Sequence, residues 1–112
     1  MRDPANATWL LGIAQSANEP MKMRTKALFW AAQSKEVPLN DFTALYDKVS
    51  DREMKEQIIF AYSQRKEPGA VDKLMDIARK DTDKELRGKA IFWLSQTKDP
   101  RVAKFLEELI IQ

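Results

Sequence analysis

The chain has 112 residues, 44% of them apolar, and contains neither cysteine nor histidine. That apolar share supports one continuous core without disulfides or metal, and the missing residue types remove thiolate nucleophiles and the usual zinc ligands. Nineteen basic residues against seventeen acidic ones leave +2, with the signs interspersed, which argues against a dedicated nucleic-acid binder with one basic face.

Taken from the N-terminus, the opening Met1-Arg2-Asp3-Pro4 has no apolar stretch behind its Arg and does not read as a signal peptide. The first helix is predicted over about 4–16, and its Trp9-Leu10-Leu11-Gly12-Ile13-Ala14 is similar to Leu74-Met75-Asp76-Ile77-Ala78 further along. The second, about 19–34, holds Lys26-Ala-Leu-Phe-Trp-Ala-Ala-Gln33, after which a polar stretch leads to Pro38. The third, about 38–49, carries Phe42, Leu45 and Val49 at helical spacing. The fourth, about 51–65, holds Gln57-Ile-Ile-Phe-Ala-Tyr-Ser-Gln64 behind a capping box, Ser50-x-x-Glu53.

The fifth helix, about 68–80, opens on Pro68, where a first-turn proline costs no hydrogen bond, and carries Val71, Leu74 and Ala78. The sixth, about 83–97, holds Lys89-Ala-Ile-Phe-Trp-Leu-Ser-Gln96 behind a second capping box, Thr82-x-x-Glu85. The seventh, about 100–111, opens on Pro100 and carries Ala103, Leu106 and Ile110. No segment has the alternation of a strand, and no apolar run approaches the ~20 residues of a membrane span.

The Phe-containing segments start at residues 26, 57 and 89, so the chain repeats every 31 to 32 residues. Helix pairs of that length cannot bury their apolar faces alone, and neighbours must stack. The units read as a half repeat, 4–16, followed by repeats at about 19–49, 51–80 and 83–111, together one domain over 1–112. Leu86, Ala90, Trp93 and Leu94 fall on one helix face, which places Trp93 and its counterpart Trp30 in the core.

The run Leu86-Arg87-Gly88-Lys89-Ala90-Ile91-Phe92-Trp93-Leu94-Ser95-Gln96 with Lys98-Asp99-Pro100-Arg101-Val102 resembles a HEAT repeat, and more narrowly bacterial HEAT-repeat proteins of unassigned function. The first copy departs by one inserted residue, Val37 before Pro38. The resemblance implies an all-α, right-handed α-α superhelix of about three and a half hairpins and seven helices. It also implies first helices on a convex side, second helices along a concave groove, and a non-catalytic scaffold whose groove holds a protein or peptide.

On the second helices the positions outside the core are Thr43, Tyr46 and Asp47, then Asp72, Met75, Asp76 and Arg79, then Lys104, Glu107 and Glu108. Thr8, Leu11 and Gln15 extend this face on the half repeat. Tyr46 and Met75 in a polar rim suit a protein surface, and the excess of carboxylates would repel phosphate. The more basic first helices (Lys22, Arg24, Lys26, Lys55, Arg87, Lys89) keep open a weaker nucleic-acid reading on the convex side.

Phe29, Phe60 and Phe92 occupy one position of the three copies, opposite the apolar face. Two placements follow: an exposed ridge that marks an interaction site, or rings wedged between neighbouring first helices under the stems of Lys26 and Lys89, which inter-repeat packing favours.

No catalytic, metal or cofactor site is expected. Asp81-x-Asp83-x-Glu85 lacks the glycine and the distal glutamate of a calcium loop and reads as helix capping. Gly12, Gly69 and Gly88 build no phosphate loop, and Glu107 and Glu108 point different ways from one helix. Neither end is capped by polar residues, so the expectation is a fragment of a longer array or end-to-end self-association. An accessory or regulatory part of a larger enzyme or signalling protein is the alternative role. The cytoplasm is the default compartment, with export open if a signal peptide has been removed.

Overall fold

The structure is a computed structural model that describes residues 4–35, 37–65 and 67–111, with side chains from Thr8 onward. Met1, Arg2 and Asp3, on which the leader expectation falls, lie outside them. Seven helices follow one another: α1 (Pro4–Gln15), α2 (Met21–Gln33), α3 (Leu39–Lys48), α4 (Arg52–Ser63), α5 (Pro68–Lys80), α6 (Lys84–Ser95) and α7 (Pro100–Ile111). Every boundary lies within two residues of the helix expected there. Among the described residues there is no strand.

The helices form two layers. In one, α4 packs between α2 and α6; in the other, α1, α3, α5 and α7 pack in that order. Each layer covers the other, and the molecule measures 44 × 26 × 18 Å, the elongated outline of an α-solenoid. Met54, Ile58, Ile59 and Tyr62 of α4 are fully buried because that helix has neighbours on both flanks. Phe42, Leu45, Leu74 and Leu94 complete the centre from the adjoining helices.

The Tyr62 hydroxyl fixes α3 to this centre. It donates to the Phe42 carbonyl at 2.7 Å and accepts from the Tyr46 amide at 3.1 Å, two backbone groups one turn apart. The Phe42 and Tyr62 rings meet edge to face with centroids 5.0 Å apart.

Three local expectations need correction. The helix caps are Asp51 and Asp83, each one residue beyond the Ser50 and Thr82 of the expected boxes. The Asp83 carboxylate accepts from the amides of Glu85 and Leu86, whereas Asp51 gives its carboxylate to Arg24. On α7 the buried side chains are Val102 and Phe105; Ala103 and Ile110 are exposed because no described helix covers that flank. Neither tryptophan is a core residue as expected: Trp93 is half-buried against the core, and Trp30 is 60% exposed. The Trp30 ring meets Phe29 of its own helix, with centroids 5.4 Å apart.

Candidate interaction surfaces

The second-helix layer brings most of its candidate residues to the surface, but it changes their chemistry. Tyr46 is only 2% exposed and does not stand in a groove as an anchor. Its hydroxyl donates to Asp81 at 2.5 Å, and the ammonium groups of Lys55 and Lys73 lie 4.7 and 5.8 Å from its ring centroid. Burial, reinforced by the Asp81 carboxylate, pushes its phenol far above the ordinary tyrosine range. Thr43, Met75 and Asp76 are half-buried, while Asp47, Asp72, Arg79, Lys104, Glu107 and Glu108 are exposed. From the half repeat, Thr8 and Gln15 are exposed and Leu11 packs against the core.

The acidic balance expected of this face is largely cancelled by cations from the same layer. Asp47 pairs with Lys73 at 2.8 Å, Asp72 with Arg101 at 2.7 Å and Asp76 with Lys80 at 3.2 Å. Arg79 stacks over the Phe105 ring with its guanidinium carbon 4.9 Å from the centroid. Glu107 and Glu108 form no ion pair among the described residues. The correction arises because Lys73 and Arg101 sit beside the aligned positions in three dimensions without sharing them in sequence.

The first-helix layer has the opposite character. Phe29, Phe60 and Phe92 are 55%, 42% and 54% exposed, on the side turned away from the buried Ala27, Ile58 and Ala90. None of the three rings is fully buried in a wedge, and each keeps roughly half of its surface exposed. Phe60 reaches a neighbouring first helix, meeting Trp93 edge to face with centroids 5.0 Å apart. Phe92 meets the same indole, also at 5.0 Å. Phe29 meets Trp30 at 5.4 Å, and the middle copy has Ala61 where the outer copies have tryptophan. Among the described residues no ring contact joins Phe29 to α4.

Three of the six basic candidates on the first helices are committed to contacts inside the molecule. Arg24 is 3% exposed; its Nε donates to the Ala14 carbonyl at 3.1 Å and its Nη1 to Asp51 at 2.9 Å. Arg87, at the same position of the third copy, donates to the Asp81 carbonyl at 2.6 Å. Both guanidinium groups satisfy a carbonyl at the C-terminal end of the preceding second helix, where helical carbonyls lack intrahelical partners. Lys55, the middle counterpart, covers Tyr46 instead. Lys22, Lys26 and Lys89 remain exposed, too few and too interspersed for a phosphate-tracking surface. This device was invisible in the sequence because the partners of Arg24 lie 10 and 27 residues away.

The acidic run after α5 is used up by the fold. Asp81 accepts from Tyr46 and from the Asp83 amide, and Asp83 also binds Arg52 at 2.7 Å. Among the described residues no group of acidic side chains could hold a metal ion, and no helix is long and apolar enough to cross a membrane. A cleft of about 370 Å³ lies between the ends of α2 and α4, lined by Ala32, Gln33, Ser34, Lys35, Gln64, Arg65 and Glu67. Its arginine grips Glu67 through two bonds of 2.6 and 2.7 Å, so the cleft presents an internal ion pair.

The family model for HEAT repeats matches residues 39–112, from the start of α3 through α7. No curated protein and no solved structure matches the chain.

Proposed function

Because the chain belongs to the HEAT-repeat family, whose repeats generally mediate protein–protein contact, we propose that it is a non-catalytic scaffold that binds a protein partner along the row of Phe29, Phe60 and Phe92. The observation that carries this reading is the exposure of the same residue in three successive copies, on the polar side of each helix. Burying a phenylalanine side chain is worth about 1.5–3 kcal/mol, and rings left half in water keep roughly half of that for a partner. Aromatic anchors inside a polar rim are the usual composition of a binding hot spot. The rim here includes the exposed Lys26 and Lys89, which suits a partner with carboxylates around an apolar centre. The second-helix face is the weaker candidate, since its aromatic is buried and three of its acids already have partners. An accessory role within a larger enzyme or signalling protein would use the same ridge.

The test is affinity capture with wild type and with a variant carrying Phe29→Glu, Phe60→Glu and Phe92→Glu. Loss of the captured protein from a variant that keeps its helical circular dichroism supports the ridge, whereas undiminished capture rejects it.

A further inference from the structure

Phe60 and Phe92 come from successive first helices, yet each ring lies 5.0 Å from the indole of the half-buried Trp93. The two rings are therefore no more than about 10 Å apart, in keeping with the roughly 8–10 Å between packed helices. The side-chain amides beside them are held in place. The Ser63 hydroxyl donates to the Phe60 carbonyl at 2.5 Å and accepts from the Gln64 amide at 3.1 Å. Ser95 and Gln96 repeat the device behind Phe92, with bonds of 2.6 and 3.3 Å. Each amide nitrogen still has a second N–H to donate, and Gln64 and Gln96 are both exposed. On the other side of the row, one turn before Phe29 and Phe92, stand the exposed Lys26 and Lys89. Neither lysine enters an ion pair among the described residues.

On the premise that the phenylalanine ridge is the binding surface, we propose that its occupant is a proline-rich segment of the partner protein. The segment lies across the first helices in the polyproline II conformation. Three residues complete a polyproline II turn of about 9.3 Å, so every third side chain lands on the ring of the next repeat. An α-helix laid the same way brings every seventh residue to the ridge, about 10.5 Å apart, and keeps its carbonyls in its own ladder. An extended strand sends every third side chain to alternate faces. Polyproline II leaves its carbonyls unpaired, and proline brings no N–H that needs an acceptor. The amides of Gln64 and Gln96 are donors held ready for those carbonyls, next to the rings that take the side chains. The unpaired Lys26 and Lys89 select acidic residues at the flanks of the proline-rich stretch.

The probe is an acetylated synthetic peptide of four Pro-Pro-Leu triplets with two aspartates at each end, titrated into the whole chain. The readout is the indole N–H resonance of Trp93, which is expected to move and saturate. A peptide of Pro-Pro-Pro-Leu quartets, whose leucines fall out of step with the repeats, is expected to bind at least about tenfold more weakly. Phe92→Ser, with the helical circular dichroism unchanged, is expected to weaken the triplet peptide by at least about tenfold. Gln64→Ala/Gln96→Ala, two exposed positions, is expected to weaken it by about fivefold. Lysines in place of the aspartates are expected to weaken it by about threefold at low salt. A Trp93 resonance that stays in place overturns the proposal, and so does full affinity in the glutamine variant or equal affinity for quartets and triplets. A lactam-bridged helical peptide of alanine and leucine that moves Trp93, where the triplet peptide does not, keeps the ridge and overturns the polyproline II occupant. Undiminished capture by the triple glutamate variant rejects the ridge itself, so the two failures are distinguishable.

Discussion

The ring of Phe60 on α4 meets the indole of Trp93 on α6 with centroids 5.0 Å apart and planes at 64°. This contact binds two neighbouring first helices, although Phe60 remains 42% exposed. Phe29, with no described ring contact to the next helix, has only the surface half of that arrangement. Phe60→Ala is expected to destabilise the fold by about 1–2 kcal/mol, since an aromatic pair adds about 0.5–1.5 kcal/mol to the loss of buried area. Phe29→Ala is expected to cost less than about 0.5 kcal/mol, as for a surface position. Urea unfolding of the two variants checks the difference, and equal costs would contradict this assignment of contacts.

Arg24 joins three helices through one guanidinium. Its removal orphans the Ala14 carbonyl at the end of α1 and leaves Asp51, itself 37% exposed, without its cation. Arg24→Met is expected to cost about 1–3 kcal/mol, the range for leaving a buried polar partner unsatisfied. Arg24→Lys should recover only part of this, because a single ammonium cannot reproduce the two-directional fork. Thermal unfolding monitored at the helical signal gives both values.

Both tyrosines of the chain are held protonated by the fold. Burial raises the Tyr62 phenol, and burial followed by the Asp81 carboxylate raises that of Tyr46. The folded values lie above the ordinary 10.0, so their stabilising contribution is complete below pH 10 and is lost as pH rises beyond it. The expected outcome of an alkaline titration is phenolate absorbance that appears together with loss of helix. Phenolate forming near pH 10 in a chain with native circular dichroism would contradict the burial of both rings. At the acid end the sign reverses. Arg65 and Arg101 hold Glu67 and Asp99 below their ordinary values of 4.5 and 3.8, and that contribution is lost as pH falls through the depressed values.

Gly88 lies inside α6, and a Cβ built there meets nothing within 4 Å. Gly88→Ala should therefore stabilise the protein by about 0.5–1 kcal/mol through helix propensity alone. A higher melting temperature with unchanged partner binding is the expected result.

The layers were legible in the sequence because three copies of one helix, aligned through Phe29, Phe60 and Phe92, reveal period and partners together. Prolines marked the starts of α5 and α7 for the same local reason, a fixed φ and a missing amide. What escaped was decided by neighbours distant in sequence. Trp30 and Trp93 share a helical angle, yet only Trp93 has a first helix on its flank. Tyr46 reads as a polar-face aromatic until Asp81, 35 residues away, takes its hydroxyl. The second-helix face reads as acidic until Lys73 and Arg101 are placed beside Asp47 and Asp72. The outward direction of the phenylalanines followed from helical angle, but whether a neighbour covered them depended on the spacing of the layer.

The ridge is tested most directly by the affinity of a captured partner for three proteins: wild type, a Phe29→Ser/Phe60→Ser/Phe92→Ser variant, and a Glu107→Lys/Glu108→Lys variant of the opposite layer. With folding verified by circular dichroism, the serine variant is expected to bind at least about a hundredfold more weakly, as the loss of hot-spot anchors requires, while the lysine variant stays within about threefold of wild type. Full affinity in the serine variant together with loss in the lysine variant would contradict the ridge and place the partner on the second helices.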